Sequence, residues 1–236
     1  MSPEMRDGLD LTGTIGRYLP ESILRNRERV VGYLVAMSFH DLDTFFHLFT
    51  TANLAITIAA ELRLDKEMTA TVSAGALFHD IGKLALSGDI LRAPRPLTAS
   101  EWEDVRRHPA ESARLLFECD EPALAAIVRS HHEMLDGSGY PDGLRGSEIT
   151  VETQIITVAD AFDTMRYRRA YKAARPIDEV LVELHSLRGK RYDATIVNAL
   201  TAIIGAQDHI QRGEVVRQAP RNVRARDGRN LENEGV

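Results

Sequence analysis

At 236 residues, with 44% hydrophobic and 27% charged side chains, the chain has the composition of a globular protein and can bury a core as one domain of ordinary size. Its formal charge of −6 argues against broad contact with DNA or RNA backbones, although bound cations can reverse the potential inside a site. Cys119 is the single cysteine, there is no charged-then-apolar leader, and no run approaches ~18 apolar residues, so a soluble cytoplasmic protein without membrane contact is expected.

Residues 1 to about 19 are polar, with glycines at 8, 13 and 16, and read as a loose start. Pro20-Glu21-Ser22 opens a helix predicted to run through Met37, with Ile23, Leu24, Val30, Val31 and Leu34 as its apolar members. Residues 1–40 are too short for a separate sensor domain and are assigned as a helical lead-in that covers one end of a main domain over 41–210. Residues 43–63 carry Phe46, Phe49, Leu54, Ile58 and Leu62 at helix-like intervals, and 66–80 form a second helix ending in His79-Asp80. Thr98 and Glu101 make a capping-box pair, with Leu97 and Trp102 at the staple positions, which starts a helix at 98. Pro109 bends or interrupts that helix and sets His108 at a break. Pro122 suits the first turn of the next helix, where Leu124, Ile127, Val128 and His131 recur at i, i+3, i+4 and i+7 and turn His131 inward. A Gly-, Asp- and Pro-rich loop over 134–147 follows, then helices at 150–166, 177–187 and 193–206. Few segments alternate with period two, so the fold is read as all-α. The composition shifts from about 207, and 211–236 are assigned as a flexible C-terminal tail.

Along this helical pattern stand His79-Asp80-Ile81-Gly82-Lys83, then His108, His131-His132-Glu133, Asp136-Gly137-Ser138-Gly139-Tyr140-Pro141 and Asp160. Imidazoles and carboxylates are the ligands that hold a pair of first-row metal ions for hydrolysis. Singly, most of them have ordinary readings. His47, one turn after Asp43, is more often a satisfied histidine than a ligand. Asp80 reads either as a helix-end residue paired with Lys83 or as a carboxylate bridging two metals. On a helix His131 and His132 diverge by roughly 100°, so they can serve two ions, or one ion at a helix end. Asp160 lies within Ile155-Ile156-Thr157-Val158-Ala159-Asp160-Ala161-Phe162, where an ionised carboxylate is costly unless it meets a metal or an arginine. Gly137 and Gly139, lacking a Cβ, let their loop approach a ligand closely. Five elements in this order point to a metal-dependent phosphodiesterase, where an isolated His-Asp pair points nowhere.

HDIGK, His108-Pro109, HHE with DGSGYP, and VADAFD together resemble the HD-GYP branch of the HD superfamily, from about His47 to Asp193. HHE with DGSGYP is the specific part. The resemblance implies an all-helical HD-superfamily bundle with a dimetal site in its core. It also implies hydrolysis of cyclic di-GMP to linear pGpG, in some members onward to GMP, in bacterial second-messenger signalling, with signalling proteins as further partners. Carried over, His47, His79, Asp80, His108, His131, His132 and Asp160 would hold two divalent ions, iron or manganese, with Asp80 as the bridge. Trimetal members have a glutamate where this chain has Asp43, whose shorter side chain weakens the case for a third ion. Lys83 matches a lysine beside the phosphate. Arg169 and Lys172 match the substrate-contacting residues of an Arg-Pro-Tyr-Lys-type motif, and Tyr140 matches the GYP tyrosine near the base. Departures fall on the substrate side: Ala85 for glycine, Ser87-Gly88 for Pro-Asp, Ala170 for proline, and Arg166-Tyr167 for small polar residues. Three alternatives stay open at this point: another nucleotide as substrate, a non-catalytic cyclic dinucleotide receptor, and an oxygen-activating diiron protein.

Overall fold

Asn26 divides the first predicted helix in two. In the computed structural model, which describes residues 19–166 and 174–211, α1 (Glu21–Arg25) and α2 (Arg27–His40) meet at Asn26, whose backbone leaves the helical region (φ −96°, ψ 17°). The Asn26 amide donates to the Cys119 carbonyl at 2.8 Å and Arg29 donates to the Glu118 carbonyl, so this lead-in is anchored on the turn at 118–121. Ile23, Val30 and Met37 form its buried face.

Asp41 caps α3 (Leu42–Glu61) by accepting from the Thr44 amide, and Asp65 caps α4 (Lys66–Phe78) by accepting from the Met68 amide. The two helices pack along their length, burying Leu48, Ala52, Ala55 and Ile58 from α3 and Val72, Ala76 and Phe78 from α4. A 3₁₀ turn over Ile81–Ala85 and the short α5 (Gly88–Leu91) lead to α6 (Ala99–Val105), which starts with the predicted capping box at Thr98. The break predicted before Pro109 is present: α6 ends at Val105, and α7 (His108–Phe117) begins afresh with Pro109 in its first turn. α8 (Pro122–Arg129) packs on α7. After the loop, α9 (Val151–Arg166) packs against both α3 and α4 and contributes Ile155, Ile156, Val158 and Ala159 to the core. α10 (Ile177–Ser186) and α11 (Ala194–Gln211) follow.

Among the described residues there is no strand, only isolated bridges at Asp136–Arg145 and Arg188–Tyr192, and the fold is all-α. The helical unit that carries the clusters below extends to Ile203; beyond it the described residues 204–211 are the last turns of α11, which runs further than the 206 expected. No described helix is long and apolar enough to cross a membrane. Arg169, Lys172 and the tail from residue 212 lie outside the described residues.

Candidate metal centre

Three histidines sit at or just beyond helix ends, and each turns its ring back onto the helix it leaves. The Nδ1 of His79 lies 2.7 Å from the Ala76 carbonyl, that of His108 lies 2.6 Å from the Val105 carbonyl, and that of His131 lies 2.6 Å from the Val128 carbonyl. A carbonyl only accepts, so each Nδ1 carries the proton and each Nε2 presents a lone pair. These bare nitrogens converge. The Nε2 atoms of His108 and His131 are 3.2 Å apart, and those of His79 and His47 are 3.3 Å apart. Between His108 and His131, both kept neutral by burial, the facing lone pairs repel at such a distance, and a cation between them removes the repulsion.

Asp80 lies at the meeting point, buried to 1% exposure. Its Oδ1 faces His108 Nε2 at 3.0 Å but has no hydrogen-bond donor among the described residues, because the His108 proton is committed to Val105 on the other side of the ring. Its Oδ2 accepts from Lys83 Nζ at 2.5 Å. Burial opposes ionisation of Asp80, yet the Lys83 charge and the surrounding imidazoles hold its pKa well below the usual carboxylate range. An ionised oxygen buried without a donor is an environment that suits a bound cation.

The donor atoms form overlapping clusters whose members lie within 4.8 Å of one another: His47, His79 and Asp80; Asp80, His108, His131 and His132; and His79, His131 and Asp160. Asp80 belongs to the first two. Nitrogen and carboxylate donors of this kind fit borderline divalent ions, so the residues present suit the metal pair that the motifs imply. All seven predicted ligands fall within these clusters, while Asp43 is exposed and stands outside them. Lys83 is buried at the same place, and Tyr140 stacks its ring on His132 with centroids 4.8 Å apart.

The local geometry of the paired histidines differs from expectation. α8 ends at Arg129, so His131 and His132 occupy the following turn instead of adjacent helical positions. Their ring centroids are 4.1 Å apart, because a turn, unlike a helix, does not fan successive side chains by 100°. His131 remains fully buried, and its carbonyl accepts from Thr157 of α9 at 2.8 Å.

Burial and neighbouring charges divide the histidines electrically. Burial lowers His108, drives His131 well below its ordinary value, and takes His132 down to about 3, with the other imidazoles adding to the last two shifts. For His47, burial is outweighed by hydrogen bonds to Asp160 and Asp163 and by the Asp160 and Asp80 charges, which raise it to about 9. The carboxylates around His47 therefore call for a positive charge beside it.

Several residues that hold the centre are not among the predicted ligands or substrate contacts, although most of them stand inside the quoted motifs. Asp163 is buried on α9 and accepts from His47 Nδ1 at 2.5 Å, orienting the ring so that Nε2 points inward. Its sequence signals are its place as the last residue of VADAFD and its position three residues after Asp160, on the same helical face. Glu133 is buried to 1% and accepts backbone N–H bonds from Asp142, Gly143 and Leu144 at 2.6, 3.0 and 3.1 Å, which fastens the loop after the histidines. Ser112 of α7 donates to the His79 carbonyl and accepts from the Gly82 amide. Gly82 is required there: a Cβ would lie 2.2 Å from the His108 carbonyl oxygen. Gly139 is required for the same reason, since its Cβ would lie 2.4 Å from Glu133 Cα.

An all-α bundle with histidine and aspartate clusters shared around one buried Asp is the architecture of an HD domain, and the HD domain family matches residues 19–196. The chain belongs to that family. It is 37% identical over 164 residues to a cyclic di-GMP phosphodiesterase of Thermotoga maritima, covering 68% of this chain and 45% of the relative. It is 42% identical over 125 residues to a 3'3'-cGAMP-specific phosphodiesterase of Vibrio cholerae, covering 52% of this chain and 27% of the relative. The chain thus spans less than half the length of either relative. The solved structure of Bd1817, an HDG"Y"P protein from Bdellovibrio bacteriovorus, shares the fold with a TM-score of 0.57 at 22% identity, over 67% of this chain and 51% of that one.

Proposed function

We propose that the protein is a metal-dependent phosphodiesterase that hydrolyses cyclic di-GMP to linear pGpG, in a cytoplasmic signalling role. The observation that carries this reading is the buried Asp80, whose Oδ1, without a donor among the described residues, lies where two histidine clusters meet. His47, His79, Asp80, His108, His131, His132 and Asp160 would hold two divalent ions, iron or manganese, with Asp80 reaching both. Bound there, such ions supply Lewis acidity and lower the pKa of water so that a nucleophile exists near neutral pH. Lys83 places a cation beside Asp80, where it would meet phosphoryl oxygens that gather charge as the bond to the leaving ribose oxygen breaks. Tyr140 is protonated at neutral pH, as an ordinary phenol is, and burial and the charges of Asp80 and Asp160 raise its pKa further, so its hydroxyl can donate to substrate oxygens. Arg169 and Lys172 would add phosphate contacts from the segment outside the described residues.

The test is turnover of cyclic di-GMP by metal-loaded protein, with 3'3'-cGAMP, pGpG and a nucleotide monoester beside it, since one of the relatives is named for cGAMP. Asp80→Ala should abolish hydrolysis and lower metal content more than Asp43→Ala does. Full activity in the Asp80 variant sinks the dimetal reading, and preferential cleavage of a monoester sinks the diester assignment.

A further inference from the structure

Arg106 closes the end of α6, two residues before His108, and its guanidinium carbon lies 4.7 Å from the centre of the Tyr140 ring. Tyr140 in turn stacks on His132, with their planes 33° apart. Arg106 is exposed and has no carboxylate partner among the described residues, whereas Arg107 beside it pairs with Asp104 at 3.0 Å and Arg129 pairs with Asp142 at 2.8 Å. The contact with the ring uses the charge of Arg106 but none of its five N–H donors. A guanidinium placed in this way, next to the tyrosine that stacks on the candidate metal centre, presents a fork matched to a phosphate.

A cyclic dinucleotide carries two phosphodiesters, and only one can lie at the metal clusters for cleavage. We infer that Arg106 binds the second phosphate, the one that is not cleaved, and so contributes to the selection of cyclic dinucleotides over simpler diesters. Lys83 is buried beside Asp80 and serves the inner phosphate, while Arg106 sits outside it on the far end of the His132–Tyr140–Arg106 contact series. This inference rests on the phosphodiesterase reading above.

The experiment compares cyclic di-GMP with bis(p-nitrophenyl) phosphate, which has a single phosphate, using the full metal-loaded chain. Arg106→Ala should raise KM for cyclic di-GMP roughly ten- to hundredfold, as expected for loss of a charge-assisted hydrogen bond. It should also raise the calorimetric Kd for the linear product, which retains the second phosphate. Its kcat/KM for the single-phosphate diester should fall at least tenfold less, and metal content should match the parent. Arg106→Lys, which keeps the charge and loses the fork, should recover part of the KM effect. Equal losses on both substrates, or loss of metal, would overturn the inference by showing that Arg106 only props Tyr140 and His132. An unchanged KM for cyclic di-GMP would overturn it directly. A parent protein that cleaves the single-phosphate diester but not cyclic di-GMP would instead show that the proposed substrate is wrong, and this inference would fall with it.

Discussion

The carboxylate of Asp163 illustrates how much of a candidate metal centre can depend on a residue outside the clustered donors. It accepts from His47 Nδ1 at 2.5 Å and leaves Nε2 facing Asp160 at 3.0 Å and His79 at 3.3 Å. Asp163→Asn keeps the volume but removes the negative charge, and the amide can rotate its NH₂ towards the ring and upset the tautomer. Metal affinity should therefore drop about 10- to 100-fold, the usual cost of removing such a supporting partner, while the circular dichroism of the metal-free protein stays that of the parent. Titration with manganese(II) reads the result, and an unchanged affinity would show that Thr51, 3.3 Å from the same nitrogen, suffices to orient His47. The sequence makes Asp160 conspicuous because it interrupts an apolar run. Asp163 is less visible, since its partner lies 116 residues away and no local pattern announces the pairing.

At the scale of elements, the loop after His132 is shaped by one side chain. Glu133 gathers three successive amides, from residues 142 to 144, and Gly139 lets the returning chain lie directly on the histidine backbone. The Leu135 amide also donates to the Arg191 carbonyl, which ties the loop to the α10–α11 connection. Glu133→Ala leaves the three amides without that acceptor and should destabilise the protein by about 2–4 kcal/mol, most of it by freeing the loop. Hydrogen exchange should then quicken at residues 142–144 while α3 and α4 keep their protection; uniform quickening across the chain would indicate global unfolding instead of a released loop. Glycines at 137 and 139 are enough to predict a loop that approaches something closely. That the thing approached is its own neighbouring histidine turn, held by Glu133, is a tertiary fact.

For the whole molecule, the centre joins α3, α4, α7, α8 and α9 through their histidines and aspartates, so its protonation bears on global stability. His47 is raised to about 9 in the fold against ~6.5 when unfolded, so its contribution is fully present below pH 6.5 and is lost as pH rises through 9. His108, His131 and His132 are lowered, so the fold keeps them neutral while the unfolded chain protonates them, and stability falls as pH drops below 6.5. Metal-free protein should therefore melt highest near pH 6.5 and lose several degrees by pH 9. Metal-loaded protein should hold its melting temperature over pH 7–9, because the ions supply the positive charge in place of the proton. Thermal melts with and without chelator check this, with His47→Gln expected to flatten the alkaline slope. A metal-free melting temperature that rises from pH 6.5 to 9 would refute it.

What the sequence by itself determined was local: helix periods, the capping box at Thr98, the break before Pro109, the Gly-rich loop, and which residue types can ligate a metal. Each of these follows from interactions spanning a few residues, and each is present with boundaries moved by a residue or two at most positions. The tertiary structure decided what those residues do together. Asn26 splits a continuous helical pattern because its amide meets the Cys119 carbonyl, 93 residues away. α8 stops before His131, and only the packing of α9 through Thr157 shows how that turn is held. The shared position of Asp80 depends on bringing His47, His79, His108 and His131 within reach of one carboxylate. A one-dimensional pattern can name those donors, but the distances between them arise only from packing helices that are far apart in the chain.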